Sequence, residues 1–163
     1  MFIAGMGLLG VVVWARVTQS GAWRFELEGQ SLGTIGVMDL SGDSTRIVHP
    51  ATIYFFETNC GPCTPATERL NAFMEHRRPG GLPVYALTNS LGFTRDSARQ
   101  FVAGVRPVRL RRTTRELKLI RELPLVVQTD PRGRITRAYV GVASDEALMI
   151  LNYPPAASPA ERP

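Results

Sequence analysis

The chain alternates short apolar runs with stretches whose apolar residues recur every three or four positions. Ala51–Phe56 (ATIYFF) is an almost unbroken apolar run, the pattern of a central strand covered on both faces. From Cys60 to His76 the apolar residues Ala66, Leu70, Phe73 and Met74 keep helical spacing, with Glu68, Arg69 and Glu75 between them. That spacing predicts a helix, which Pro79-Gly80-Gly81 ends. Leu82–Thr88 predicts a second buried strand, and Thr94–Val102 a second helix opened by the capping-compatible Thr94. Val105–Leu110 suits either a short strand or an irregular connection. Leu123–Thr129 predicts a third strand with Pro124 at its start, where a missing N–H does least damage. The turn residues Asp130-Pro131-Arg132-Gly133 return the chain antiparallel through Ile135–Val140. Ser144 caps a last helix over Asp145–Leu151.

Ahead of these elements, Leu32–Leu40 and Thr45–Val48 are β-prone runs around Ser41-Gly42-Asp43, a turn signal, and predict a hairpin. The order strand, helix, strand, helix, strand, strand, helix implies an α/β fold, a mixed sheet with helices on both faces. One domain over residues 32–151 is expected, after a linker at 24–31 and before a Pro-rich tail at 152–163 that holds four prolines. Residues 1–23 form a hydrophobic leader. Met1–Ala15 carry no charge, yet as a helix they would rise only about 22 Å, short of a hydrocarbon core of roughly 30 Å. Continuing to Trp23 gives enough length if Arg16 snorkels to an interface. The start Met-Phe-Ile lacks the basic region of a secretory signal, so a membrane anchor is the expected use, with a buried apolar segment as its rival.

The 163 residues include 19 basic and 14 acidic side chains, for a net charge of +5, and 44% are hydrophobic. This composition excludes an intrinsically disordered or polytopic membrane protein. Lys118 is the only lysine. Arg106, Arg109, Arg111, Arg112, Arg115, Lys118 and Arg121 form a basic stretch, but no aromatic interleaves them, which disfavours nucleic acid. A solvated face is the plainer reading, with anionic lipid or an acidic protein as the alternative partner.

The 2 cysteines are adjacent in the chemical sense: Cys60-Gly61-Pro62-Cys63 follows an apolar strand and opens an amphipathic helix. Sulfurs at i and i+3 in a first helical turn can join and part again. The free amides and positive dipole end there stabilise a thiolate, so Cys60, at the mouth, is the expected nucleophile and Cys63 the resolving thiol. Pro62 stiffens the turn without losing a needed donor, and Gly61 leaves the sulfur uncovered. Zinc is the sharper rival, through Cys60, Cys63 and His76. However, one continuous helix would hold His76 about 20 Å from the sulfur, and His49 has no ligand spacing. No metal or organic cofactor is implied.

Strand, CGPC and helix, followed by Leu123-Pro124 at a strand start, resemble the thioredoxin superfamily. The preceding hairpin and the Asp130–Gly133 turn are most similar to its membrane-tethered branch, the TlpA-like, ResA-like and cytochrome-c-maturation thiol-disulfide oxidoreductases. The resemblance covers Leu32–Leu151, with a poor match between Thr88 and Leu123. It implies a thioredoxin-like mixed β-sheet flanked by helices, with an N-terminal β-hairpin extension and a hydrophobic leader. It also implies a cis Pro124 that presents the Leu123 backbone to a substrate strand beside Cys60. Three positions depart from the family. Tyr54 stands where relatives have a buried aspartate, Asn59 replaces an aromatic before the first cysteine, and Glu68 replaces a helix-kinking proline.

The expected activity is thiol-disulfide exchange with cysteine-containing protein substrates, as a reductant, supplied by an upstream thiol electron donor. Catalysis falls to Cys60, Cys63 and Pro124, with Gly61, Pro62, Asn59 and Leu123 lining the substrate groove and Glu57 as a candidate proton relay. An extracytoplasmic domain on a membrane anchor follows from the leader, with a cytoplasmic domain as the alternative. The competing function is a non-catalytic thioredoxin-like binding or assembly module, motivated by Tyr54 and Asn59.

Overall fold

A computed structural model describes residues 21–32, 35–90, 92–110 and 122–153. The leader up to Ser20, most of the basic stretch (111–121) and the tail from Pro154 lie outside the described residues. The strands are β1 (Ala22–Trp23), β2 (Val37–Met38), β3 (Ser44–Thr45), β4 (Thr52–Phe56), β5 (Val84–Thr88), β6 (Val105–Leu110), β7 (Leu125–Thr129) and β8 (Ile135–Val140). The helices are α1 (Cys63–His76), α2 (Arg95–Ala98) and α3 (Asp145–Asn152). The strands form one mixed sheet in the order β1-β8-β7-β4-β5-β6-β2-β3.

Strand β4 lies between parallel β5 and antiparallel β7, and all five of its residues are buried. Its pleat sends Tyr54 and Phe56 to one face, with Cys63, Leu70, Phe73, Leu148 and Leu151. Ile53 and Phe55 go to the other, with Leu32, Ile35, Ile47, Leu87 and Val127. Helices α1 and α3 bury their apolar stripes on the first face. On the second face the described covering residues Leu32, Ile35 and Ile47 come from irregular chain, where the sequence reading expects helices on both sides.

Several boundaries move. Helix α1 begins at Cys63 rather than Cys60, because the Cys63 N–H donates to the Cys60 carbonyl (3.0 Å) in a turn ahead of it. The second helix stops at Ala98, not Val102. Beyond it Asn71 takes over the backbone, its amide donating to the Gln100 carbonyl (2.6 Å) and its carbonyl oxygen accepting from the Val102 N–H (3.3 Å). Val105–Leu110 is a strand, parallel to β5. The third strand begins at Leu125, since Pro124 has no N–H to donate and joins the neighbouring chain only through its carbonyl. Strands β2 and β3 are two residues each and pair antiparallel. Asp39 shapes their turn by accepting from the Ser41 (2.8 Å) and Asp43 (3.0 Å) amides, and Gly42 takes a left-handed φ of 93°.

Both ends of the expected domain also shift. Ala22 and Trp23, placed in the leader, pair with Val140 and Tyr139 of β8, and the linker at 24–31 continues hydrogen-bonded along the β8 edge. Asn152, placed in the tail, is 1% exposed at the end of α3. Its amide donates to Thr52 Oγ1 (3.1 Å) and to the Leu82 carbonyl (3.0 Å), which ties α3 to the starts of β4 and β5. Tyr153 adds a hydrogen bond from its hydroxyl to the Arg78 carbonyl. Because buried amides are expensive to strand, Asn152→Ala is expected to cost about 1–3 kcal/mol, read as a lower midpoint in urea unfolding with unchanged slope.

Candidate active site

The C-terminal end of β4 feeds directly into the turn that carries the cysteines. The Cys60 N–H donates to the Glu57 carbonyl (3.3 Å), and Pro62 takes the N-cap position of α1 with a helical φ of −67°. Cys60 and Cys63 are joined by a disulfide, with their Cα atoms 5.2 Å apart. Their environments differ. Cys63 is 3% exposed and belongs to the core, whereas Cys60 is half-buried at the surface. Asn59, Gly61 and Pro62 beside it are exposed, and a Cβ on Gly61 would meet nothing within 4 Å. The turn is therefore open to a second polypeptide on the Cys60 side only.

Beneath the turn lies Tyr54, fully buried. Its hydroxyl donates to the Cys63 carbonyl (3.0 Å), leaving the phenol oxygen to pair with Thr67 Oγ1 at 3.0 Å. Burial disfavours the phenolate and the Thr67 hydrogen bond only partly offsets this, so the phenol is pushed up to about 12. A neutral phenol titrating there accepts no proton near neutrality. Tyr54 instead braces the first turn of α1 and stacks on Phe56, with ring centroids 5.4 Å apart. Phe93 and Phe101 pack edge-on against Phe56, each at 5.3 Å.

Glu57 is half-buried, and its carboxylate accepts a hydrogen bond from the Ser90 hydroxyl. Ser90 Oγ also accepts from the Thr58 N–H (3.2 Å), so β5's C-terminal loop holds the segment before the cysteines. A cleft of about 390 Å³ brings Glu57, Cys63, Thr67, Asp96 and Gln100 onto one lining. Thr67, Ser90 and Asp96 are the polar neighbours that sequence reasoning missed. Thr67 could have been found from its i+4 position relative to Cys63; Ser90 and Asp96 carried no local signal, because the sheet and α2 bring them there.

Leu123–Pro124 is a cis peptide bond. Phe55 pairs with Leu125, so Pro124 sits one register step on, opposite Phe56 and at the same end of the sheet as Cys60. Pro124 is buried and its carbonyl accepts from the Gly141 N–H (2.7 Å), while Leu123 is half-buried. The structure thus collects Cys60, Cys63, Glu57, Leu123 and Pro124 at one end of the sheet. The histidines lie elsewhere. His76 closes the 14-residue α1, its ring bonded to the Ala72 carbonyl (2.9 Å). His49, at a second cis bond to Pro50, contacts Thr129 Oγ1 (2.7 Å) at the opposite end; burial lowers its pKa, opposed by Asp130. Among the described residues no group of three or more metal-ligating side chains converges.

No family model matches the chain, and no curated protein matches it. Solved structures do. The thioredoxin domain of a thiol-disulfide oxidoreductase from Bacteroides vulgatus superposes with a TM-score of 0.61 at 18% identity, over 76% of this chain and 94% of that one. A thio-disulfide isomerase from Thermus thermophilus gives 0.53 at 22% identity, over 75% and 92%. The exposed lipoprotein thioredoxin of Streptococcus pneumoniae gives 0.54 at 12% identity, over 72% and 96%. At these identities the likeness is one of fold, and that fold is the thioredoxin fold.

Replacing Tyr54 by Phe removes one hydrogen-bond partner each from Thr67 and Cys63 and is expected to cost about 1–2 kcal/mol. The unfolded phenol titrates near 10 and the folded one at about 12, so above pH 10 the unfolded state binds fewer protons and stability falls as pH rises. Urea unfolding at pH 7 and pH 11 checks both points: Tyr54→Phe loses stability at pH 7 and loses part of the alkaline decline.

Proposed function

We propose that this chain is a thiol-disulfide oxidoreductase that passes electrons from its Cys60/Cys63 dithiol to disulfides of partner proteins. The observation that carries the reading is the asymmetry of the pair, an accessible Cys60 bonded to a buried Cys63 at the start of α1. In the reduced protein the Cys60 thiolate, favoured by the helix N-terminus, attacks one sulfur of a partner disulfide. A mixed disulfide forms and one partner thiolate leaves. The Cys63 thiolate then attacks Cys60 Sγ, which forms the Cys60–Cys63 bond and releases the second partner thiolate. Two electrons have moved to the partner, and the disulfide form awaits an upstream thiol donor. No organic cofactor enters these steps.

Leu123 and Pro124 complete the site in this reading. The backbone just ahead of Leu125 is offered to an extended substrate segment, with Asn59, Gly61 and Pro62 forming the other wall. Glu57 serves as the proton relay. It shares the cleft with Cys63, and Tyr54 offers no carboxylate at the position behind it. A water in that cleft would carry the Cys63 proton to Glu57.

The tether belongs to the same proposal. Met1–Ser20 precede a domain whose first described residue is Gly21, and this charge-poor stretch suits a membrane anchor with the domain outside the cytoplasm. No helix among the described residues is long and apolar enough to cross a membrane. The β2–β3 ribbon and the Asp130–Gly133 turn support placement beside the TlpA-like and ResA-like proteins. The binding-module alternative keeps the same groove without turnover.

Reduction of an insulin disulfide by dithiothreitol-recycled protein separates the two. Turnover that disappears in Cys60→Ser, with a mixed disulfide trapped by Cys63→Ser and seen by mass spectrometry, is the expected result; wild type without turnover means the binding module. Glu57→Gln is expected to slow release of the mixed disulfide at neutral pH by up to about 10²-fold, the low end for a positioned proton acceptor, while leaving Cys60 alkylation unchanged.

A further inference from the structure

Strands β4 and β5 run parallel and end together. Thr88 pairs with Phe56, which sets Ser90 beside Thr58, just ahead of the cysteine turn. Ser90 is itself held by its backbone, whose N–H donates to the Oγ1 of buried Thr88 (3.1 Å). A serine hydroxyl has one hydrogen and two acceptor sites, and all three are used here. The oxygen accepts from the Thr58 N–H (3.2 Å) and from the Thr58 hydroxyl (3.0 Å). The hydrogen goes to Glu57 Oε2. An ionised carboxylate can only accept, so the charge on Glu57 sets the direction of every hydroxyl in this cluster.

The two carboxylate oxygens are therefore unequal as proton acceptors. A proton on Oε2 would have to be donated to Ser90 Oγ, which requires both the Ser90 and the Thr58 hydroxyls to reverse. A proton on Oε1, which accepts no hydrogen bond among the described residues, leaves the cluster as it stands. We propose that Ser90 is a positioning residue, which holds Glu57 by Oε2 and leaves Oε1 to receive the Cys63 proton. This rests on the Glu57 relay of the thiol-exchange reading above, and adds the accepting atom and the residue that presents it. Cys63 Sγ–H gives its proton to a water in the cleft, and that water gives one to Oε1. The Cys63 thiolate then attacks Cys60 Sγ, the bond from Cys60 to the partner breaks, and the partner thiolate leaves. The other carboxylate on the cleft is Asp96, exposed and paired with Arg99 (3.4 Å). The neighbouring Tyr54 phenol is neutral and bonded to Cys63 and Thr67. Neither replaces Glu57 in this role.

The test separates the two sulfur steps in the reduced full chain. One equivalent of dithiobisnitrobenzoate releases two thionitrobenzoate anions in sequence, the first as Cys60 attacks and the second as Cys63 resolves the mixed disulfide. In Ser90→Ala the first phase is expected to keep its wild-type rate, while the second slows about tenfold at about pH 6. The acid limb of the second phase moves to higher pH, because the carboxylate has lost a donor that favours its charged form. Ser90→Thr, which keeps the hydroxyl, restores both the rate and the limb. In a Glu57→Gln background, Ser90→Ala adds no further loss. Slowing of both phases, or slowing that persists in the Glu57→Gln background, makes Ser90 a mere brace for Thr58 and overturns the inference. A second phase slowed by Glu57→Gln but untouched by Ser90→Ala also overturns it, and leaves the relay standing. If Glu57→Gln itself leaves the second phase unchanged, the relay falls and this inference falls with it.

Discussion

Burial of β4 on both faces is the constraint from which the rest follows. A strand with all five residues out of water has to find hydrogen bonds on both edges and apolar cover on both sides. Parallel β5 and antiparallel β7 satisfy the edges. On the face beneath the helices this strand carries the Thr52 hydroxyl, bonded to Leu151 and Asn152, and nearer the cysteines the Tyr54 hydroxyl, an unpaired phenol there being costly. Its hydrogen bonds to Cys63 and Thr67 resolve that conflict by fixing the first turn of α1 over the strand end. The cysteine pair is thus positioned by a demand of the core.

From this placement comes the unequal exposure of the two sulfurs. Cys63 enters the helix and the core together, while Cys60 remains in the turn outside it. The same strand end meets the start of β7 and the loop after β5. Pro124 and the Glu57–Ser90 pair therefore gather there without being neighbours in the chain. A site at the C-terminal ends of parallel strands is a general consequence of this topology, since backbone and helix N-termini converge where strands give way to turns.

Residues 21–32 close the β8 edge, which would otherwise offer unpaired amides to another chain. Their first residue, Gly21, packs against Tyr139 at the end of the sheet that carries the cysteines. At the opposite margin the short β2–β3 ribbon covers β6.

The main elements could be read directly from the chain, because period-2 and period-3.6 patterns are local properties. The strands at Thr52–Phe56, Val84–Thr88 and Ile135–Val140, the helix ending at His76, and the Ser144-capped helix all announced themselves in this way. The cysteine pair was equally plain, since its chemistry depends on a spacing of three. Tertiary structure alone decided the remainder. Asn71 cut the second helix short, through backbone bonds made from a different helix. Asn152 joined the core rather than the tail, because buried carbonyl and hydroxyl groups on β4 and the β5 approach were waiting for its amide. Likewise Trp23 left the leader for a sheet edge and an edge-to-face contact with Tyr139. Polar side chains such as these satisfy partners far away in sequence. A linear pattern records that a residue is polar; only the folded chain determines which buried group it must pair with.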